Sequence, residues 1–252
     1  MPNYDQTFNA RGNLYNEAMT ICPAAREPER ERLLARLQPC AGEVVVDAPA
    51  GGGYLAEGVA ARGAEVVCIE PAARFAEAIA GRFTTHICPL TDMHLPDSQA
   101  DKLGSLAGLH HLDADEVGCF FQQAWRVLKP GGRIVVADVK ANTPTATFLN
   151  GPVDEWTETG HKGRFFDEGM FTEHLTAAGF EQIEETWDQF SWDYPDHETM
   201  VCFAWHLFGM TRATMEMVEA ALTEHLKPWT DDAGTHMRWS LIYASAIKPA
   251  YA

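Results

Sequence analysis

Short apolar, β-branched runs alternate along this chain with stretches whose apolar residues recur at helical spacing. Residues 43–48 (EVVVDA), 65–70 (EVVCIE), 85–90, 102–107 (KLGSLA) and 133–139 (RIVVADV) read as strands. They carry little polar alternation, which marks strands buried on both faces. Helical patterns fill the gaps, from the glycines at 51–53 to about residue 62, then at 72–82 and 113–128. The last of these opens on acids that suit a helix dipole and closes before Lys129, Pro130 and a glycine pair. Strands alternating with helices imply βαβ units, a parallel sheet and right-handed crossovers. Ahead of this unit, residues 29–37 read as a helix behind Pro28.

Beyond residue 139 the pattern loosens, and 141–164 shows no clear element. A helix is predicted from Asp167, its N-cap, to a stop at Gly179. Residues 181–192 read as a strand with exposed acids, 197–210 and 213–226 as helices, and 239–247 (WSLIYASAI) as the last strand. The expectation is one α/β domain over residues 1–252, with seven strands in a mostly parallel sheet, helices on both faces and a helical insertion before the last strand.

Charge narrows the function. The formal net charge is −17, which disfavours nucleic-acid backbones and anionic membrane surfaces as partners. Hydrophobic residues make up 46%, enough for a packed core and too many for a disordered acidic chain. The six cysteines form no C-x-x-C, and Cys68 and Cys202 sit in apolar runs as small buried hydrophobes. The polar N-terminus resembles no secretory signal, and no apolar stretch is long enough to span a membrane. A cytoplasmic, reducing location is the resulting expectation. No metal-ligand cluster is evident, so no metal is expected.

The chemistry concentrates at the ends of the strands. VVVDAPAGGG (44–53) runs from a buried strand through Asp47 into a glycine-rich turn and a helix. In open α/β sheets ligands bind outside the carboxyl ends of strands, where glycines admit a ligand to the backbone and a helix start offers free N–H groups. Glu70 ends the next strand, 23 residues on, where a carboxylate can accept from both hydroxyls of a ribose. Thr91-Asp92-Met93, the segment SLAGLHHL (105–112) and the turn LKPGG (128–132) follow in order. Each has a plainer alternative: Asp47 as a cap of the following turn, Glu70 as a solvated strand-end acid, and the histidine pair as a structural part of a strand-to-helix loop.

With these five segments in order, residues 40–140 resemble the class I S-adenosylmethionine-dependent methyltransferases, in their small-molecule, methyltransferase type 11-like branch. That family's D-x-G-x-G-x-G stands here as Asp47-Ala48-Pro49-Ala50-Gly51-Gly52-Gly53, with Pro49 at the first glycine position. Proline donates no N–H and fixes its own φ. The resemblance implies a Rossmann-like fold and S-adenosyl-L-methionine as cofactor. By the same resemblance, Ala48, Pro49, Ala50, Gly51 and Gly53 face the methionine portion, Glu70 binds the ribose, Pro71 and Met93 sandwich the adenine, Asp92 meets its amino group, and Leu106 lies near the sulfonium. Residues 1–39 form a helical lid with Tyr15 as a contact, 40–140 the cofactor core, 141–238 the substrate-side lid, and 239–252 the final strand and tail.

The reaction implied is in-line methyl transfer to a small molecule, for which position and exclusion of water matter most. An oxygen or carbon acceptor needs a base, with His110 or His111 first and His161 behind them. Residues 141–210 hold 13 of the 26 aromatics, read as core plus either a pocket wall for an aromatic or apolar acceptor or a homodimer interface. Residues 154–198 hold 13 acids against Lys162 and Arg164. That is either a solvated surface or a field favouring a neutral or cationic acceptor. Two other readings stay open. One is a methyltransferase-like binding or scaffold subunit, which Pro49 favours. The other is a nicotinamide-dependent oxidoreductase, which the consecutive glycines and the LKPGG turn oppose.

Overall fold

The computed structural model describes residues 4–251; residues 1–3 and 252, within the expected lid and tail, lie outside the described residues. The first half runs α1 (Tyr4–Ile21), α2 (Glu27–Leu37), β1 (Val44–Asp47), α3 (Tyr54–Ala60), β2 (Glu65–Ile69), α4 (Ala73–Ile79), β3 (Thr84–His86), β4 (Ala100–Leu106), a 3-10 turn (Leu109–His111), α5 (Ala114–Val127) and β5 (Leu128–Asp138). The second runs α6 (Pro144–Phe148), a π-turn (Leu149–Val153), α7 (Asp154–Trp156), α8 (Met170–Ala178), β6 (Glu181–Tyr194), α9 (His197–Phe208), α10 (Met215–Leu226), β7 (Trp229–Asp231) and β8 (Gly234–Ile247).

The sheet order is β3-β2-β1-β4-β5-β8-β6, with β7 paired to the start of β8. Strands β3 to β5 are parallel; β8 and β6 join antiparallel. The order reverses between β2 and β4 around β1, so a crevice opens at the carboxyl end of β1. Asp47 there lies beside Cys68 of β2 and Gly104 of β4.

Alternation along the central strands divides two cores. Val135 and Ala137 of β5 face one, with Leu33, Leu34 and Leu37 of α2. Ile134 and Val136 face the other, with Phe120, Phe121 and Val127 of α5. Helix α5 starts on a capping box, in which the Asp113 carboxylate accepts from Glu116 N–H and the Glu116 carboxylate accepts from Asp113 N–H.

Three expectations change. An eighth strand, β7, is present; it is three exposed residues long and has no buried alternation to announce it. Within 141–164, read as irregular, residues 144–156 form α6, the π-turn and α7, a series too short for a helical period to show, while 157–164 has no regular element. The aromatics of 141–210 are mainly core: Phe148, Phe166, Phe171, Phe180, Trp192, Tyr194, Phe203 and Phe208 are all buried. The acids of 154–198 serve surface and local structure. Glu185 accepts from the Gly169 and Thr172 N–H groups at the start of α8, Asp188 pairs with Arg36, and Asp196 caps α9.

Phe120 is wholly buried between α5 and the sheet. Phe120→Ala should lower unfolding free energy by about 3–5 kcal/mol, read by urea denaturation; a loss under ~1 kcal/mol would contradict this packing.

Candidate active site

Four elements end at the crevice. After β1 the chain turns through Ala48 and a cis Ala48–Pro49 peptide bond; Ala50 N–H donates to Ile69 O (3.0 Å) and Gly53 N–H to Ala50 O (2.9 Å). Gly51 and Gly53 have φ of 53° and 89°, a region that glycine enters without strain. At Gly108, after β4, an added Cβ would stand 2.3 Å from Pro49 Cγ, so the two loops touch because position 108 has no side chain.

Glu70, just past β2, is fully buried. Its Oε1 accepts from Ala72 N–H (2.7 Å), and its Oε2 accepts from Gly51 N–H (2.7 Å) and the Tyr4 hydroxyl (3.1 Å). Burial lifts the carboxyl to about 7 against the pull of these donors. Asp47 is also buried; Oδ2 accepts from Ala56 N–H in α3 (2.9 Å), while Oδ1 has no partner among the described residues. Burial pushes its carboxyl well above the usual range.

Helix α1 closes the crevice from above. Besides Tyr4, it brings Phe8 against Phe75 (ring centroids 5.2 Å apart) and Tyr15 against Phe75 (5.2 Å). Arg11 is buried, and its guanidinium donates to Phe208 O (3.1 Å); Nε has no partner and no described carboxylate pairs with it. Burial lowers its pKa to about 10. Arg26 by contrast is neutralised: it donates to Glu29 Oε1 (2.7 Å) and to the Tyr15 hydroxyl, while Trp192 Nε1–H donates to Glu29 Oε2 (3.0 Å).

On the other side stands the 3-10 turn after β4. Asp138, at the end of β5, accepts from the backbone N–H groups of Leu109 (2.8 Å) and His110 (3.1 Å) and meets His110 Nδ1 at 2.6 Å. A carboxylate only accepts, so Nδ1 carries a proton, and in the neutral imidazole the lone pair is then on Nε2, which is buried with no partner among the described residues. His161 comes from the loop after α7, and the three imidazoles of His110, His111 and His161 lie together, with centroids 4.2, 5.2 and 5.1 Å apart. Burial drives His111 and His161 well below the usual histidine range, so both are neutral at pH 7.

These parts line a half-open cavity of about 100 Å³. Of the sequence-predicted residues, Tyr15, Asp47, Pro49, Ala50, Gly51, Leu106, His110, His111 and His161 line it. Glu70 borders it through Gly51 and Tyr4. Ala48 is wholly buried behind it, and Gly53 starts α3. Pro71 is half-buried next to Glu70. Asp92 and Met93 are not brought to the cavity: Asp92 is exposed beside His94, and Met93 is a core side chain packed with Cys88 and Leu90. From the aromatic-rich segment only Trp192 and Phe208 reach the lining, along with Trp239 of β8. The expectation of no metal-ligand cluster also changes, since three histidine ring nitrogens lie within 4.8 Å of one another. Tyr4, Arg11 and Asp138 were not anticipated. Asp138 had a signal, since it is an acid ending a buried strand as Asp47 does; Tyr4 and Arg11 had none.

Residues 46–136 match the family described as Methyltransferase domain. An uncharacterized methyltransferase of Geobacillus kaustophilus is 31% identical over 112 residues, 43% of this chain and 52% of that protein, so the match spans about half the relative's length. The YcgJ protein of Bacillus subtilis superposes with a TM-score of 0.66 at 16% identity, covering 88% of this chain and 99% of that one. Phosphoethanolamine N-methyltransferase 2 of Haemonchus contortus, solved with S-adenosyl-L-methionine, gives a TM-score of 0.67 at 14% identity over 99% of this chain and 60% of that one. At these identities the two structural likenesses are likenesses of fold.

The raised Glu70 pKa has a measurable consequence. The native state holds this proton up to about pH 7, whereas the unfolded chain releases it near 4.5. The native state therefore binds more protons between those values, and stability falls as pH rises through that window. Melting curves of wild type and Glu70→Gln should diverge between pH 4.5 and 7.5, with wild type losing ground; parallel curves would mean that Glu70 is not held in this environment.

Proposed function

We propose that this protein transfers the methyl group of S-adenosyl-L-methionine to a small molecule held in the cavity between α1, the 3-10 turn and α9; the match of residues 46–136 to the methyltransferase domain family supports this reading. The observation that carries this is Glu70. Its carboxylate stands at the end of β2 beside the glycine turn, and a hydroxyl, that of Tyr4, already donates to it. A ribose hydroxyl needs such an acceptor. The residues present fit the ribose and methionine ends of the cofactor: Glu70, with Pro71 beside it, for the ribose side and the Ala48–Gly51 backbone for the methionine end, with Leu106 near the sulfonium. Pro49 costs one N–H, and Asp47, which lines the cavity, keeps an unpaired Oδ1 that can accept from the cofactor's amino group.

Bound there, S-adenosylmethionine supplies an electrophilic methyl carbon whose thioether leaves with the C–S electrons as the acceptor lone pair attacks. The chain's own groups orient and desolvate. Tyr54, Trp192, Phe208 and Trp239 offer apolar faces to the acceptor, and α1 excludes water. His110 Nε2 offers its lone pair to an acidic O–H or N–H of the acceptor, with Asp138 fixing the tautomer and stabilising the charge that forms.

The lining revises the expected acceptor charge. The acids of 154–198 face solvent or cap helices, while Arg11 brings a cation to the lining that no described carboxylate neutralises. An aromatic or apolar acceptor with one acidic or anionic oxygen suits that cavity better than a cation.

Calorimetric titration tests the reading. S-adenosylmethionine should bind and NAD should not; the reverse would restore the oxidoreductase, and binding of neither would favour a scaffold. Glu70→Ala should weaken binding by about 10–100-fold, the worth of one or two charge-assisted hydrogen bonds. Tyr4→Phe removes the hydroxyl that competes for Glu70 and should tighten binding by up to ~10-fold. Wild-type affinity in both variants would overturn the assignment of Glu70 to the ribose.

A further inference from the structure

The three histidines meet in a way that base catalysis does not need. His110, His111 and His161 come from two loops, yet a ring nitrogen from each lies within 4.8 Å of the others. His110 Nε2 and His161 Nδ1 are buried without a hydrogen-bond partner among the described residues, in side chains that are each 95% buried. Buried imidazole nitrogens without partners are costly unless something else uses their lone pairs.

The geometry points to a site for one divalent transition-metal ion of the zinc type, held by His110, His111 and His161. Three imidazoles on a tetrahedral ion, with metal–nitrogen bonds of about 2.0–2.1 Å, have their ring centroids about 5 Å apart; the observed separations are 4.2, 5.2 and 5.1 Å. His110 already has the second contact that metal-bound histidines make, its Nδ1–H held by Asp138 at 2.6 Å, which leaves Nε2 for the ion. His161 is held through its main chain: its backbone N–H donates to Asp154 Oδ1 (2.6 Å), and its loop is tied down by Arg164 N–H to His110 O (2.8 Å) and by a pair of bonds between Asn150 and Gly163. Neutral nitrogen donors suit zinc, iron, cobalt or nickel, not calcium or magnesium.

The cluster also has a way in and an open side. It forms a partition between the inner cavity and an outer groove that carries Asp113, Glu116 and Asp154. Three protein ligands leave a fourth position for water, or for an acceptor oxygen that replaces it. Arg11 lines the inner cavity as well, so an anionic oxygen is the ligand that suits both cations. With the ion bound, His110 Nε2 is a ligand and not a base, and the metal instead acidifies the acceptor hydroxyl.

Metal binding is measurable without cofactor or acceptor, so its failure is separate from that of methyl transfer. Untagged full-length protein, treated with a chelator and desalted, is titrated with Co²⁺ and read by visible absorption, and with Zn²⁺ by calorimetry. One ion per chain and the intense bands of four-coordinate cobalt are expected. His161→Ala and His110→Ala should abolish both, and Asp138→Asn should weaken Zn²⁺ binding by about 10–100-fold. His236→Ala, which removes a histidine paired with Asp193 and Asp231 elsewhere on the surface, should leave them unchanged. On the wild type, proton NMR of the cobalt form should show paramagnetically shifted imidazole N–H signals, a readout that survives if a variant fails to fold. Absence of stoichiometric binding, or binding that His161→Ala leaves intact in a folded protein, would overturn the site.

Discussion

The carboxylate of Asp138 holds the working side of this molecule together. It is wholly buried, and it accepts from the N–H groups of Leu109, His110 and Val139 and from His110 Nδ1. Four donors on one carboxylate join the end of β5 to the turn after β4, so the two central strands and the histidine loop form one rigid piece. The same contact selects a tautomer and aims a lone pair at the cavity. Whether that lone pair meets a proton or a metal ion, its direction is set here.

On the opposite side a second buried carboxylate joins three elements. Glu70 ties the glycine turn to the end of β2 through Gly51, and its remaining capacity is taken by Tyr4 of α1. The hydroxyl of Tyr4 thus takes the place on this carboxylate that the proposed function gives to a ribose hydroxyl. Around it, Phe8, Tyr15 and Phe75 pack ring against ring, an apolar cover on a buried charge. That cover raises the Glu70 pKa to about 7, and with it the cost of keeping the carboxylate charged. Lid and carboxylate are therefore coupled: what lowers one changes the other.

Charge is distributed differently along the chain and in space. The acidic segment 154–198 spends its carboxylates on helix starts, on arginines such as Arg36 and on solvent. The cavity receives from it only His161 and Trp192. Arg11, from the far end of the chain, and Asp47, at the end of β1, bring ionisable groups to its lining. A sum of formal charges averages over surface that a ligand never meets, and burial in a low-dielectric cavity makes those few groups count for more than many screened acids.

What the sequence determined alone was whatever short-range periodicity can express. The buried runs at 44–47, 65–69 and 133–138, the capped helix behind Asp113 and the glycine turn at 51–53 were all legible, because strand burial, capping and positive φ are decided within a few residues. Asp47, Gly51 and Leu106 came with them, since strand ends in a parallel sheet converge on one edge. Tertiary structure decided the rest. The contact between Tyr4 and Glu70 spans 66 residues, and that between His110 and Asp138 spans 28. His161 reaches its partners only because Phe166 N–H and O bond beside β5, to Val139 and Ala141, and draw the loop back over the sheet edge. Met93 shows the converse: its neighbours in sequence suggested a ligand contact, and packing with Cys88 and Leu90 made it core. Such pairings depend on where whole elements come to rest, and the local pattern of polar and apolar residues does not encode that.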